Sequence, residues 1–159
     1  MIDNNFTQSF LNPRSVAIVG ASSNAQKTGA RVQRFLVSHG YKGKIYPVNP
    51  NREEIFGFKC YSKLINIPQK IDHVFIAVDG NKIIDAVRDA VSMNIKCATI
   101  LSGGFSESGS EGLNLEKQIL HIAREGNLRI LGPNSIGIIN ISDSVVLSAN
   151  AMLDLPNLK

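Results

Sequence analysis

A chain of 159 residues with 43% hydrophobic and 19% charged residues is long enough to bury a core and too apolar to be disordered. No apolar run approaches the roughly 20 residues of a membrane span. The polar start, Met1 to Asn12, lacks the basic and apolar stretches of a secretory signal. The net charge of +4 is uneven, with nine Lys/Arg against two Glu in residues 12–63 and eight against ten acids in residues 64–159, a skew that suits an anionic ligand on the first half. There is no dense basic run with interleaved aromatics, so nucleic acid is not expected as a partner. Cys60 and Cys97 stand in no metal-ligand spacing and point to a reduced, cytoplasmic chain.

In chain order, residues 1–11 read as an N-terminal extension. "SVAIVG" (15–20) is a short run of branched apolar residues between Pro13 and Gly20, the pattern of a buried parallel strand. Val32, Phe35, Leu36 and His39 then recur at helical spacing, with Gly40 as a stop. "KIYPV" (44–48) predicts a second strand, closed by "NPN". Residues 51–69 are irregular, with room for a short helical turn and a minor strand. "HVFIAV" (73–78) predicts the next strand, and Asn81 is placed to cap a helix whose Ile83, Ile84, Val87, Ala90 and Val91 make one stripe. "CATILSG" (97–103) predicts another strand, running into the turn "GGFSESGSEG". Leu115, Ile119, Ile122 and Ala123 face inward on a helix that ends near Gly126. "LRILG" (128–132) is a further strand, "SVVLS" (144–148) an edge strand, and "ANAMLDLPNLK" (149–159) an exit from the domain. This order predicts an α/β fold, a Rossmann-like doubly wound, mostly parallel sheet with helices on both faces. One domain is expected over 12–150, with an exit segment, 151–159, leading toward a following domain of a longer protein.

In such sheets ligands gather beyond the carboxyl ends of the strands. Three polar, glycine-rich loops fall there: "GASSNAQKTG" (20–29), "SGGFSESG" (102–109) and "GPNSIG" (132–137). In the first, Gly20 permits a tight turn and Gly29 a close backbone approach, while Ser22, Ser23, Asn24 and Thr28 offer short polar groups and Lys27 a charge. The helix that follows offers free amides and a positive dipole end to a phosphate. The loop is neither a P-loop nor G-x-G-x-x-G, since Ser22 and Ala25 stand where glycines belong. The second strand ends in Asn49 and Pro50, where NAD enzymes place an acid, and Arg52 follows. That argues against NAD and leaves NADP or another nucleotide with an extra ribose phosphate.

Catalytic equipment is thin. His39, His73 and His121 are scattered, and Ser102, Ser106 and Ser135 have no G-x-S-x-G elbow. Asn134 and Ser135 sit in a stiff turn suited to hydrogen bonding, and Glu107 and Glu111 flank a helix start in a capping pattern.

Taken together, "SVAIVGASSNAQKTG", "GYKGKIYPVNPN", "GFKCYSKLINIP", "SGGFSESG" and "LGPNSIGIIN" resemble, in that order, the CoA-binding domain of NDP-forming acyl-CoA synthetases. That group includes the ADP-forming acetate–CoA ligases and is related to the succinyl-CoA synthetase alpha subunit. The likeness runs over residues 12–150 and implies coenzyme A as the ligand. It implies Gly20, Ser22, Ser23, Asn24, Lys27 and Gly29 around the pyrophosphate. Val48, Asn49 and Pro50 would pass beside the nucleotide end, with Lys44 or Arg52 for the 3′-phosphate and Val78 at the end of the third strand. Ser102, Gly103 and Gly104 would present amides to the pantetheine arm, and Asn134 would sit near the thiol. No metal site and no catalytic residue is implied within the chain.

Two departures stand out. Family members often carry Val-Pro after the third strand, where this chain has Asp79, a carboxylate that either accepts from a ribose hydroxyl or repels the ligand. "GPNS" also replaces a frequent "GPNC". In the family an ATP-grasp domain makes the acyl phosphate and a histidine in the following domain carries the phosphoryl group. ATP and ADP would therefore enter only through domains absent from this chain or through a partner subunit, and the segment alone is expected to bind CoA without catalysing a reaction. The alternatives are a non-catalytic CoA-binding or regulatory domain, stand-alone or fused to an acetyltransferase, and an NADP-binding oxidoreductase domain, for which no acid–base pair is visible.

Overall fold

The computed structural model describes residues 4–154. In chain order they form α1 (Asn4–Leu11), β1 (Ser15–Val19), α2 (Thr28–Ser38), β2 (Lys44–Val48), a short hairpin of β3 (Glu54–Ile55) and β4 (Phe58–Lys59), β5 (His73–Ile76), α3 (Asn81–Ser92), β6 (Cys97–Ile100), α4 (Ser110–Glu125), β7 (Arg129–Leu131), and a second hairpin of β8 (Gly137–Asn140) and β9 (Val145–Ser148). Five strands make one sheet in the order β2-β1-β5-β6-β7, every pair parallel. This is the expected Rossmann-like architecture.

The two-residue period of a strand divides its side chains between two layers. In β1, Val16 and Ile18 join Val32 and Leu36 of α2 and Val145 and Leu147 of β9. Ala17 joins the opposite layer, with Ile83 and Val87 of α3 and Ile119 of α4. In β5, Phe75 points to the first layer and Val74 and Ile76 to the second. Both faces are apolar, which is why these strands read as unbroken hydrophobic runs. Pro47 is tolerated because β2 lies at the edge of the sheet, and its carbonyl accepts from the Tyr61 amide at 2.9 Å. Among the described residues no helix is long and apolar enough to cross a membrane.

Several expectations change. Of the N-terminal extension, residues 1–3 lie outside the described residues, and the rest includes α1, which lies over the amino ends of β5 and β6. The irregular stretch contains the β3–β4 hairpin and a 3-10 turn at Leu64–Asn66. The strand "SVVLS" is no edge of the main sheet: β9 pairs antiparallel with β8, and Val145 through Ser148 are all buried. Asn81 is the first residue of α3 and does not cap it; Gly80 holds that position. Of the exit segment, Ala151–Asp154 forms a 3-10 turn whose Asp154 pairs with Arg31 and Arg34 of α2, and residues 155–159 lie outside the described residues.

Candidate functional site

A parallel sheet gathers the carboxyl ends of all its strands along one edge, so the loops after β1, β2, β5, β6 and β7 converge there. The loop after β1 is held by a backbone pinch. A Cβ added to Gly29 would lie 2.1 Å from the Gly20 carbonyl oxygen, and one added to Gly20 would lie 2.4 Å from that of Ala77. Neither position has room for a side chain, and Gly20 also sits at φ +86°. The Gly20 and Ala21 amides both donate to the Val48 carbonyl, at 3.1 and 3.3 Å, which binds the loop to the end of β2.

Inside this loop the polar side chains have two kinds of work. Ser22 Oγ accepts from the Asn24 amide at 3.1 Å and Asn24 Oδ1 from the Gln26 amide at 3.0 Å, so both shape the turn. Ser23 and Lys27 are exposed. Lys27 is the N-cap of α2, which has no side-chain cap and no acid in its first turn. The pinch therefore leaves an uncapped, electropositive helix start beside a lysine, the arrangement that suits an anion.

The neighbouring loops are tied to the first. Asn49 Nδ2 donates to the Ala21 carbonyl at 2.8 Å, and Asn49 Oδ1 accepts from the Asn51 amide at 2.9 Å. Val48 turns its side chain into the core and lies behind the loop, whereas Pro50 is exposed. Pro50, Arg52, Lys59 and Ser62 line an open cleft beside the end of β2. Lys44, by contrast, begins β2. It sits roughly 13 Å of strand away from Val48, at the opposite edge, and is withdrawn as a partner for a 3′-phosphate. Ser102 Oγ donates to the Val78 carbonyl at 2.7 Å, joining the ends of β5 and β6. The Asn134 amide donates to the Ser102 carbonyl at 3.0 Å, and Asn134 is exposed at φ +56°. Asp79 is exposed just before α3.

Two residues behave otherwise than their sequence pattern suggests, and a third carries no sequence signal. Ser135 Oγ accepts from the Gly137 amide at 3.2 Å, so it braces its own turn. Glu107 does not cap α4: its carboxylate accepts from the Gly104 amide at 2.7 Å. Its own amide, with those of Gly104 and Phe105, holds its carboxyl below the usual value. Arg34, which no motif marks, donates to the Ala25 carbonyl at 3.0 Å and pairs with Asp154. Its signal is absent from the sequence because the partner lies nine residues back, across a loop whose path only the fold sets.

No histidine joins this edge among those described: His39 ends α2 and His73 begins β5, both at the amino edge, and His121 faces Glu125 on α4. Among the described residues no three His, Cys, Asp or Glu gather as metal ligands do.

A family model described as "CoA binding domain" matches residues 14–141. The chain belongs to this CoA-binding family. It is 39% identical over 136 residues to the acetate–CoA ligase [ADP-forming] II of Archaeoglobus fulgidus, a match covering 86% of this chain and 20% of that protein. It is 38% identical over 138 residues to the trans-feruloyl-CoA synthase FCS1 of an unknown prokaryotic organism, covering 87% and 20%. Among solved structures, acetyl-coenzyme A synthetase 1 of Ca. Korarchaeum cryptofilum, in complex with phosphate and ADP, superposes with a TM-score of 0.86 at 34% identity, covering 91% of this chain and 31% of that one. The chain thus spans about a fifth of the length of these two curated relatives, and it is homologous to the CoA-binding part of ADP-forming acyl-CoA synthetases.

Proposed function

We propose that this chain holds coenzyme A for acyl-CoA formation by an NDP-forming acyl-CoA synthetase, whose ATP chemistry resides in further domains or a partner subunit. The observation that carries the reading is the Gly20–Gly29 pinch in front of the uncapped start of α2. A pyrophosphate needs close backbone approach, unclaimed amides and a nearby cation, and Lys27 supplies the cation. Arg52 and Lys59, on the cleft beside Pro50, suit the 3′-phosphate end. Gly103 and Asn134 border the stretch left for the pantetheine arm and thiol. In this reading CoA supplies the nucleophilic sulfur, and the residues of this chain bind and orient it. The two relatives named above are described by different acyl groups, acetate and trans-ferulate, which supports assigning the choice of acid to parts outside this segment. Two free, buried cysteines suit a reduced cytoplasmic setting.

The test is calorimetric titration of the purified 159-residue chain with CoA, dephospho-CoA, NAD and NADP. CoA is expected to bind, more weakly without its 3′-phosphate, and Lys27→Ala is expected to weaken both forms. Preference for NADP moves the chain to the oxidoreductase reading.

A further inference from the structure

We propose that Glu107 is a positioning residue for the Ser102–Gly104 turn, claiming the Gly104 amide so that the Gly103 amide, beside Asn134, is the one offered to a ligand. The proposal rests on the reading of this edge as a coenzyme A site.

The turn after β6 has glycines at 103, 104 and 109, and such a chain has much backbone freedom to lose. Hydrogen bonds and one buried side chain nevertheless fasten it at successive points. Ser102 is held through its hydroxyl to Val78 and through its carbonyl to the Asn134 amide. The Gly104 amide donates to Glu107 Oε1 at 2.7 Å. Phe105 is 1% exposed, planted in the core. The Ser106 amide donates to Glu116 Oε2 at 3.3 Å. Gly103 is left between these ties, and its amide has no hydrogen-bond acceptor among the described residues.

The face of Gly103 is bordered by two polar side chains. A Cβ built there would lie 3.1 Å from Glu107 Oε1 and 3.6 Å from Asn134 Oδ1. A carboxylate accepting from an amide makes a stronger bond than a neutral acceptor does, and of the two carboxylate ties that of Glu107 is the shorter, so Glu107 sets the register of the turn. Its charge also sets the chemistry of what lies against Gly103. An anionic group is disfavoured beside it, whereas a neutral amide or carbonyl is tolerated, so this turn selects the uncharged arm of the coenzyme and leaves phosphates to the loop after β1.

The test uses Glu107→Ala and Glu107→Gln in the 159-residue chain, with two readouts. Amide spectra of the ligand-free protein should show the Gly104 resonance moving as the wild-type carboxyl titrates in acid, and not moving in either variant. In calorimetry Glu107→Ala should weaken CoA by about fivefold, while Glu107→Gln, which keeps an acceptor oxygen, should stay within about twofold. Tighter binding by Glu107→Ala would make the carboxylate a plug and overturn the proposal, as would unchanged affinity in both variants. A wild type that binds CoA but shows no Gly104 titration also overturns it. A wild type with the Gly104 titration intact and no CoA binding removes the coenzyme reading, and with it the ligand this turn is said to select.

Discussion

The two edges of the sheet solve opposite problems. At the carboxyl edge the chain is glycine-rich and exposed, and its fastenings join loop to loop while leaving the start of α2 uncapped. At the amino edge polar groups are enclosed. His73 is fully buried beneath α1, with Nδ1 3.3 Å from the Ser9 carbonyl and Nε2 2.9 Å from Thr99 Oγ1. Facing a carbonyl, Nδ1 carries the proton, so Nε2 accepts from the Thr99 hydroxyl. Burial pushes the His73 pKa down to about 4, and it pushes the Cys97 thiol up to about 12, with Asp72 adding to the rise. One edge keeps donors available and the other spends them, so binding and stability should respond to different substitutions.

The largest expected effect would break the carboxyl edge alone. Gly29→Ala sets a Cβ against the Gly20 carbonyl and should cost at least about 100-fold in CoA affinity, read by calorimetry. If affinity survives, the pinch is not the binding feature.

The next effect belongs to the amino edge. Because the folded pKa of His73 lies below the unfolded value of 6.5, the unfolded chain takes the proton more readily. Its contribution is intact above about pH 6.5, declines as pH falls to about 4, and amounts to about 3 kcal/mol when fully lost. Urea unfolding of wild type and His73→Gln between pH 7 and 4 should isolate this decline, with the gap between the two curves changing over that window. A constant gap would mean that His73 titrates normally.

Smaller effects sharpen the contrast. Lys27→Ala should weaken CoA by about tenfold and leave thermal unfolding unchanged, because the side chain is exposed and caps nothing. Arg34→Ala frees the Ala25 carbonyl and breaks the pair with Asp154; about threefold weaker CoA binding is expected, with a melting temperature a few degrees lower. An Arg34→Ala variant that loses stability but no affinity would show that this helix supports the Ala151–Asp154 turn and not the loop after β1.

The main sheet was legible because its signals are local. The strands β1, β2, β5 and β6 are short apolar runs bounded by turn residues, and the stripes of α2, α3 and α4 repeat at helical spacing. β8 escaped because "GIIN" leaves Ile139 47% exposed, and only its pairing with β9 makes it a strand. α1 escaped because eight residues with two aromatics show too little periodicity, and its helix leans on Phe10 against His73 and on Cys97 beneath Phe6. At the site, the glycine loops announced themselves, whereas the destination of the Glu107 carboxylate did not, since a glutamate near a helix start is read as a dipole partner by default.

The sequence by itself determined the layer plan and the edge at which the glycine-rich loops gather, because strand and helix periods and the glycines after β1, β6 and β7 act over a few residues. Only the tertiary structure decided that Lys44 faces away from that edge, that Arg34 braces Ala25, and that Glu107 takes the Gly104 amide. Those outcomes depend on strand direction and on contacts across loops, where the position of each partner is set by packing.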